Sequence, residues 1–200
     1  MRFVLVSLLA FVGCSAPTDP TPNRAAPSNG GYPAGPYGYV QGSVIDDLQF
    51  IGKHTDSYVD YTTLSMQTIT LDSLRQNPAT KLILVDGAAR WCSPCNQDQP
   101  TMRTVEANYA PKGVVTLEVV VEGNLGIPST EDDINRWANR YMLSGYVASD
   151  PSYDMSKYAD VTAFPLYMIV RASTMKIEYM QVGSLASFPI EPELDALLAQ

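Results

Sequence analysis

The sequence predicts an α/β domain built on a central sheet, and three observations carry that class. Residues 82–85 read Leu-Ile-Leu-Val, the unbroken apolar run that a strand covered on both faces requires. Met102, Val105 and Tyr109 then recur at helical spacing, as Ile134, Trp137 and Tyr141 do farther on. Between those two helices, residues 114–121 form a second strongly β-prone run, so strands and helices alternate. The chain has 200 residues, 46% of them hydrophobic, which suits one core and excludes wholesale disorder.

At the N-terminus, Arg2 precedes a largely apolar run at residues 3–12. That run has the length of a secretory signal; a helix crossing a bilayer needs about 20 residues. Val12-Gly13-Cys14 resembles a bacterial lipobox, with Phe11 where Leu is usual. The resemblance implies a signal peptide at residues 1–13 and a lipid-bearing Cys14 as the mature N-terminus. Ser15 after it points to the outer rather than the inner membrane. Residues 15–38 hold six prolines and four glycines and no large aliphatic side chain, too little apolar surface to offset ordering. Residues 14–38 are therefore expected to be a lipid-anchored tether, reaching roughly 27 Å as a flexible coil. Acylation by two or more chains makes such anchoring stable.

The folded domain is expected over residues 39–200. Residues 43–80 read as short strands and turns closed by Asn77-Pro78, and the 82–85 run follows as a central strand. The helix bearing Met102 ends before Pro111 and Gly113, and Thr130-x-x-Asp133 resembles a capping box opening the next. Residues 166–170 and 177–182 read as a closing hairpin, and Leu194, Leu197 and Leu198 as a last helix.

Composition narrows the chemistry. Thirteen Lys and Arg against 21 Asp and Glu leave a net charge of −8, which argues against a nucleic-acid partner. His54 is the single histidine, so a multi-histidine metal centre is excluded, and no metal or cofactor is expected. With Cys14 given to lipid, Cys92 and Cys95 remain as a pair, and a zinc site there would have to draw on His54 and carboxylates.

Trp91-Cys92-Ser93-Pro94-Cys95 lies between the buried-strand signal and the helix signal. At a helix start, free backbone N–H groups and the positive dipole end stabilise a thiolate. The thiolate is the attacking species in disulfide exchange, and a cysteine three residues on can resolve the mixed disulfide. Pro94 suits a first helical turn, where its missing N–H costs nothing. The competing structural disulfide would constrain the unfolded chain by only about 2 kcal/mol across so short a loop.

Residues 84–95, Leu-Val-Asp-Gly-Ala-Ala-Arg-Trp-Cys-Ser-Pro-Cys, resemble the active-site segment of the thioredoxin superfamily. The flanks over residues 43–198 are more similar to its TlpA-like (ResA-like) thiol-disulfide oxidoreductases. The resemblance implies a thioredoxin-like fold: a central mixed sheet flanked by helices, with an N-terminal β extension at 42–52 and 71–74. It makes Cys92 the nucleophile, Cys95 the resolver and Cys92–Cys95 a redox-active disulfide. Asp86 is expected behind the disulfide, taking the Cys95 proton, or else to be an ordinary strand-end residue. Asp98 stands where TlpA-like proteins carry Glu, either tuning those transfers or lying on a solvated helix face. Phe164-Pro165 falls where the superfamily has a cis-proline facing the disulfide and presenting backbone to a peptide. Trp91, Ser93, Pro94 and Phe164 would wall the site.

Some residues depart from the family pattern. Gly87-Ala88 replaces an aromatic pair, implying lighter packing behind the site; Phe164 is bulkier than usual; residues 122–129 read as an insertion. The expected partners are protein disulfides, an envelope thiol electron donor and, through Cys14, a membrane facing the periplasm. The family mostly works in the reducing direction. A peroxiredoxin-like peroxidase is the first alternative, but residues 86–91 lack its Pro and Thr. A non-catalytic binding module with a vestigial disulfide is the second.

Overall fold

The computed structural model describes residues 31–159 and 163–200. Strands β1 (Gln49–Thr55) and β2 (Gln67–Thr70) and helix α1 (Leu71–Arg75) precede β3 (Leu82–Ala89) and helix α2 (Ser93–Tyr109). Then come β4 (Val114–Asn124), β5 (Ile127–Pro128), α3 (Glu131–Tyr141), β6 (Gly145–Ser149), β7 (Leu166–Arg171), β8 (Lys176–Val182) and α4 (Glu191–Leu198). The sheet runs β2-β1-β6-β4-β3-β7-β8, with β5 on β4. Strands β3, β4 and β6 are mutually parallel and the outer pairings antiparallel, so the sheet is mixed as expected.

All eight residues of β3 are buried, which is why its sequence reads apolar without alternation. Leu82 and Leu84 pack with Met102, Val105 and Tyr109 of α2 and with Leu194 and Leu197 of α4. Ile83 and Val85 point the other way, into a cluster with Leu48, Phe50, Leu71 and Leu74. The expected β extension is thus an edge hairpin, β1–β2, added antiparallel to β6. Lys53 of β1 is fully buried, and its Nζ donates to Tyr61 O (2.8 Å) and Asn135 Oδ1 (2.9 Å), tying that hairpin to α3.

Two expectations shift here. Residues 31–38, expected at the end of the 14–38 tether, lie on the domain. Tyr32 packs against the core and donates its hydroxyl to Ile45 O at 2.9 Å, and Arg75 donates to Gly31 O at 2.6 Å. One aromatic ring and paired backbone hold what composition alone reads as a spacer. Packing behind Gly87-Ala88 is not light either. A Cβ on Gly87 would meet Met155 Cε at 3.0 Å, and Tyr61 is fully buried in the cluster that holds Ala88 and Ala89. Aromatic bulk has moved from β3 to a neighbouring segment. Signal residues 1–13, Cys14 and the tether up to residue 30 lie outside the described residues.

Candidate functional site

Strand β3 delivers the chain to the sulfur pair. Cys92 is the N-cap of α2, in extended conformation, and Ser93 and Pro94 occupy its first helical positions. Cys92 Sγ accepts the N–H of Cys95 at 3.1 Å, so one free amide of the helix start ends on the sulfur. Asn96 donates to the carbonyls of Cys92 (2.6 Å) and Arg90 (3.1 Å), which fixes the turn. Cys92 and Cys95 form a disulfide, S–S 2.07 Å. Cys92 and Cys95 are both buried, at 4% and 1% exposure. Ser93 and Pro94 are exposed at the edge of the pair.

Trp91 is 39% exposed, its ring edge-on to Phe164 at 6.2 Å between centroids. The Phe164–Pro165 bond is cis, Phe164 packs against the cluster containing Cys92, and Pro165 is buried. The carbonyl of Pro165 is already used by the N–H of Gly183 at 2.9 Å. Proline has no N–H, so backbone offered to a peptide at this bend must come from Phe164.

Asp86 is fully buried on β3 and accepts from Gln99 Nε2 at 3.3 Å. Burial pushes its carboxyl upward, and the charge of Asp98 adds to the push. A strand-end reading does not fit a residue this enclosed. Asp98 is 3% exposed, not on a solvated face, and accepts from Tyr167 Oη (3.0 Å), Ser184 Oγ (2.7 Å) and the Leu185 N–H (2.9 Å). Its carboxylate is turned to β7 and the turn after β8, and its charge acts on Asp86.

Sequence reasoning missed Glu122, Glu118, Gln99 and Trp137. The expected insertion at 122–129 is the end of β4 and its hairpin with β5. Glu122, 2% exposed, accepts Trp91 Nε1 at 2.7 Å and the Gly126 N–H at 2.9 Å, while its carbonyl accepts the Arg90 N–H at 2.9 Å. Arg90 also pairs with Asp133, the third residue of α3 and partner of its N-cap Thr130. The hairpin thereby holds the Trp91 wall. Glu118 accepts Trp137 Nε1 at 2.8 Å and Gln99 Nε2 at 2.9 Å. Both glutamates interrupt the apolar run of β4, and a charge inside such a run is the signal that marks them.

No family model matches the chain. Thioredoxin-like protein YneN of Bacillus subtilis (strain 168) is 26% identical over 132 residues, 66% of this chain and 74% of that protein. Thiol-disulfide oxidoreductase ResA of Oceanobacillus iheyensis is 23% identical over 162 residues, 81% of this chain and 75% of that protein. The crystal structure of the pneumococcal exposed lipoprotein thioredoxin Etrx1, from Streptococcus pneumoniae strain TIGR4, matches with a TM-score of 0.55 at 20% identity. That match covers 76% of this chain and 99% of that one, and it speaks to the fold. The mixed sheet, the disulfide seated at the start of α2 and the likeness to YneN and ResA converge, and the chain has a thioredoxin-like fold and is similar to the TlpA/ResA-like thiol-disulfide oxidoreductases.

Proposed function

We propose that this thiol-disulfide oxidoreductase reduces protein disulfides at a bacterial envelope, held to its membrane through lipid on Cys14. The observation that carries the chemistry is the Cys92–Cys95 pair capping α2, with Cys92 the more accessible sulfur. Reduced Cys92 attacks the substrate disulfide, one substrate sulfur leaves as thiolate, and Cys95 then displaces the other from Cys92. Asp86 accepts the proton that Cys95 gives up in the second step. Trp91, Phe164 and the cis-proline bend form the walls against which the substrate peptide lies. An envelope thiol donor completes the cycle by reducing the pair again.

The reducing direction is what the TlpA-like resemblance implies, and it is set by potential. The Cys92–Cys95 couple is expected more negative than about −230 mV, below the glutaredoxin range. Equilibration against glutathione and thioredoxin couples measures it. A value near that of a strong oxidant, about −120 mV, refutes the reducing assignment.

Lipid attachment is supported by Val12-Gly13-Cys14 after the apolar run, and Etrx1 is itself an exposed lipoprotein. Mass spectrometry of the membrane fraction is expected to find Cys14 as the first residue with added acyl mass. Recovery of a soluble, unmodified wild-type chain overturns the anchor. Ser15 favours the outer membrane, and fractionation of the two membranes tests that.

A further inference from the structure

Asp86 has a neighbour of its own charge type. Strands β3 and β4 pair in parallel with Asp86 opposite Glu118, which brings both side chains to the sheet face under α2. Asp86 is 0% exposed and Glu118 6%, so two acids share one buried site. Two ionised carboxylates side by side in so enclosed a place repel one another, which favours a proton on one of them. The Gln99 side-chain N–H₂ reaches both, at 3.3 Å to Asp86 and 2.9 Å to Glu118. Glu118 Oε1 also takes Trp137 Nε1, which leaves Oε2 for a proton. Asp86 Oδ1 is buried with no donor on it, and a proton held between the carboxyls supplies one.

No lysine or arginine forms a salt bridge with either acid among the described residues. The other titratable groups acting on the pair are acids or phenols. Asp98 stands on α2, Tyr167 on β7, Tyr141 on α3 and Tyr61 on the loop after β1. Glu106 lines a cavity of about 10 Å³ on the far side of Glu118, and its carboxyl too is raised by burial. Desolvation pushes both carboxyls above the ordinary carboxylate range, and the charge of Asp86 raises Glu118 further.

Gln99 lies one helical turn beyond Cys95, and Trp137 packs in the same cluster as both cysteines. We propose that Asp86 and Glu118 titrate as one unit that holds a shared proton behind Cys95, with Glu118 a positioning residue for the proton transfers of Cys95. This rests on the oxidoreductase reading and deepens it. In the mixed disulfide, the Cys95 thiol gives its proton to the singly protonated pair. Its sulfur then forms the bond to Cys92 Sγ as the Cys92–substrate bond breaks, and the substrate sulfur leaves with that electron pair. The pair, singly protonated before the step, holds two protons and no net charge after it.

Glu118→Gln retains the shape and hydrogen bonds but cannot ionise. Infrared spectra of the wild-type protein at neutral pH are expected to show a protonated-carboxyl band that shifts in deuterium oxide; Glu118→Gln is expected to lose it. Turnover of insulin against pH is expected to show two breaks belonging to the pair in the wild type and one in the variant. A wild-type protein with no such band, or a variant that keeps the band or both breaks, overturns the proposal. Should Glu118→Gln not fold, the wild-type band and its response to Asp86→Asn decide. Failure of the wild type to reduce insulin would instead strike the oxidoreductase reading and leave the infrared result to judge the pair.

Discussion

Cys92→Ser is expected to bring insulin reduction down to the uncatalysed rate, a loss on the order of 10³-fold or more. A serine hydroxyl is scarcely ionised near neutrality, whereas a thiol at a helix start is shifted toward thiolate. In this chain Cys92 caps α2, with the Cys95 amide on its Sγ at 3.1 Å. The proposed order of events puts Cys92, the N-cap of α2, first and Cys95 second. Cys95→Ser should therefore behave differently, attacking substrate once and stopping as a mixed disulfide that a denaturing, non-reducing gel displays. Unchanged turnover in Cys92→Ser would end the enzyme reading. Trapping through Cys95 in Cys92→Ser, with no trapping in Cys95→Ser, would reverse the roles.

Asp98→Ala is expected to cost about 3 kcal/mol in urea unfolding, the largest loss foreseen for a residue outside the disulfide. The carboxylate draws together α2, Tyr167 of β7 and the Ser184–Leu185 turn after β8. Removing it leaves the Tyr167 hydroxyl and the Leu185 N–H buried without their acceptor, and each orphan carries its own desolvation cost. Asp98→Asn should lose less, because an amide oxygen still accepts while its N–H₂ faces donors. For a domain of this size the alanine variant should melt roughly 6–12 °C lower. A change within about 0.5 kcal/mol would show that the clamp is not needed for stability.

Legibility in the sequence follows the range of the interactions. The helices bearing Met102 and Ile134, the Thr130–Asp133 capping box, the closing hairpin and the Cys-Ser-Pro-Cys start of α2 are local patterns, and the structure contains them. Residues 31–38 were read as spacer because their contacts, to Ile45 and Arg75, come from elsewhere in the chain. Gly87-Ala88 looked underpacked for the same reason, since Met155 and Tyr61 fill the room from far away.

The sequence by itself determined the chemistry. A cysteine pair three residues apart, set between a buried strand and a helix, has its thiolate stabilised by groups of its own segment. Tertiary structure alone decided what surrounds that pair. Asp86 meets Glu118 because the crossover through α2 lays β4 beside β3 in one parallel register, and a slip of one residue would turn Glu118 to the opposite face. Asp98 meets Tyr167 and Leu185 because α2 packs on the strands of the closing hairpin. No spacing along the chain encodes those meetings; they follow from which buried faces pack together, and burial is what gives each carboxylate its strength.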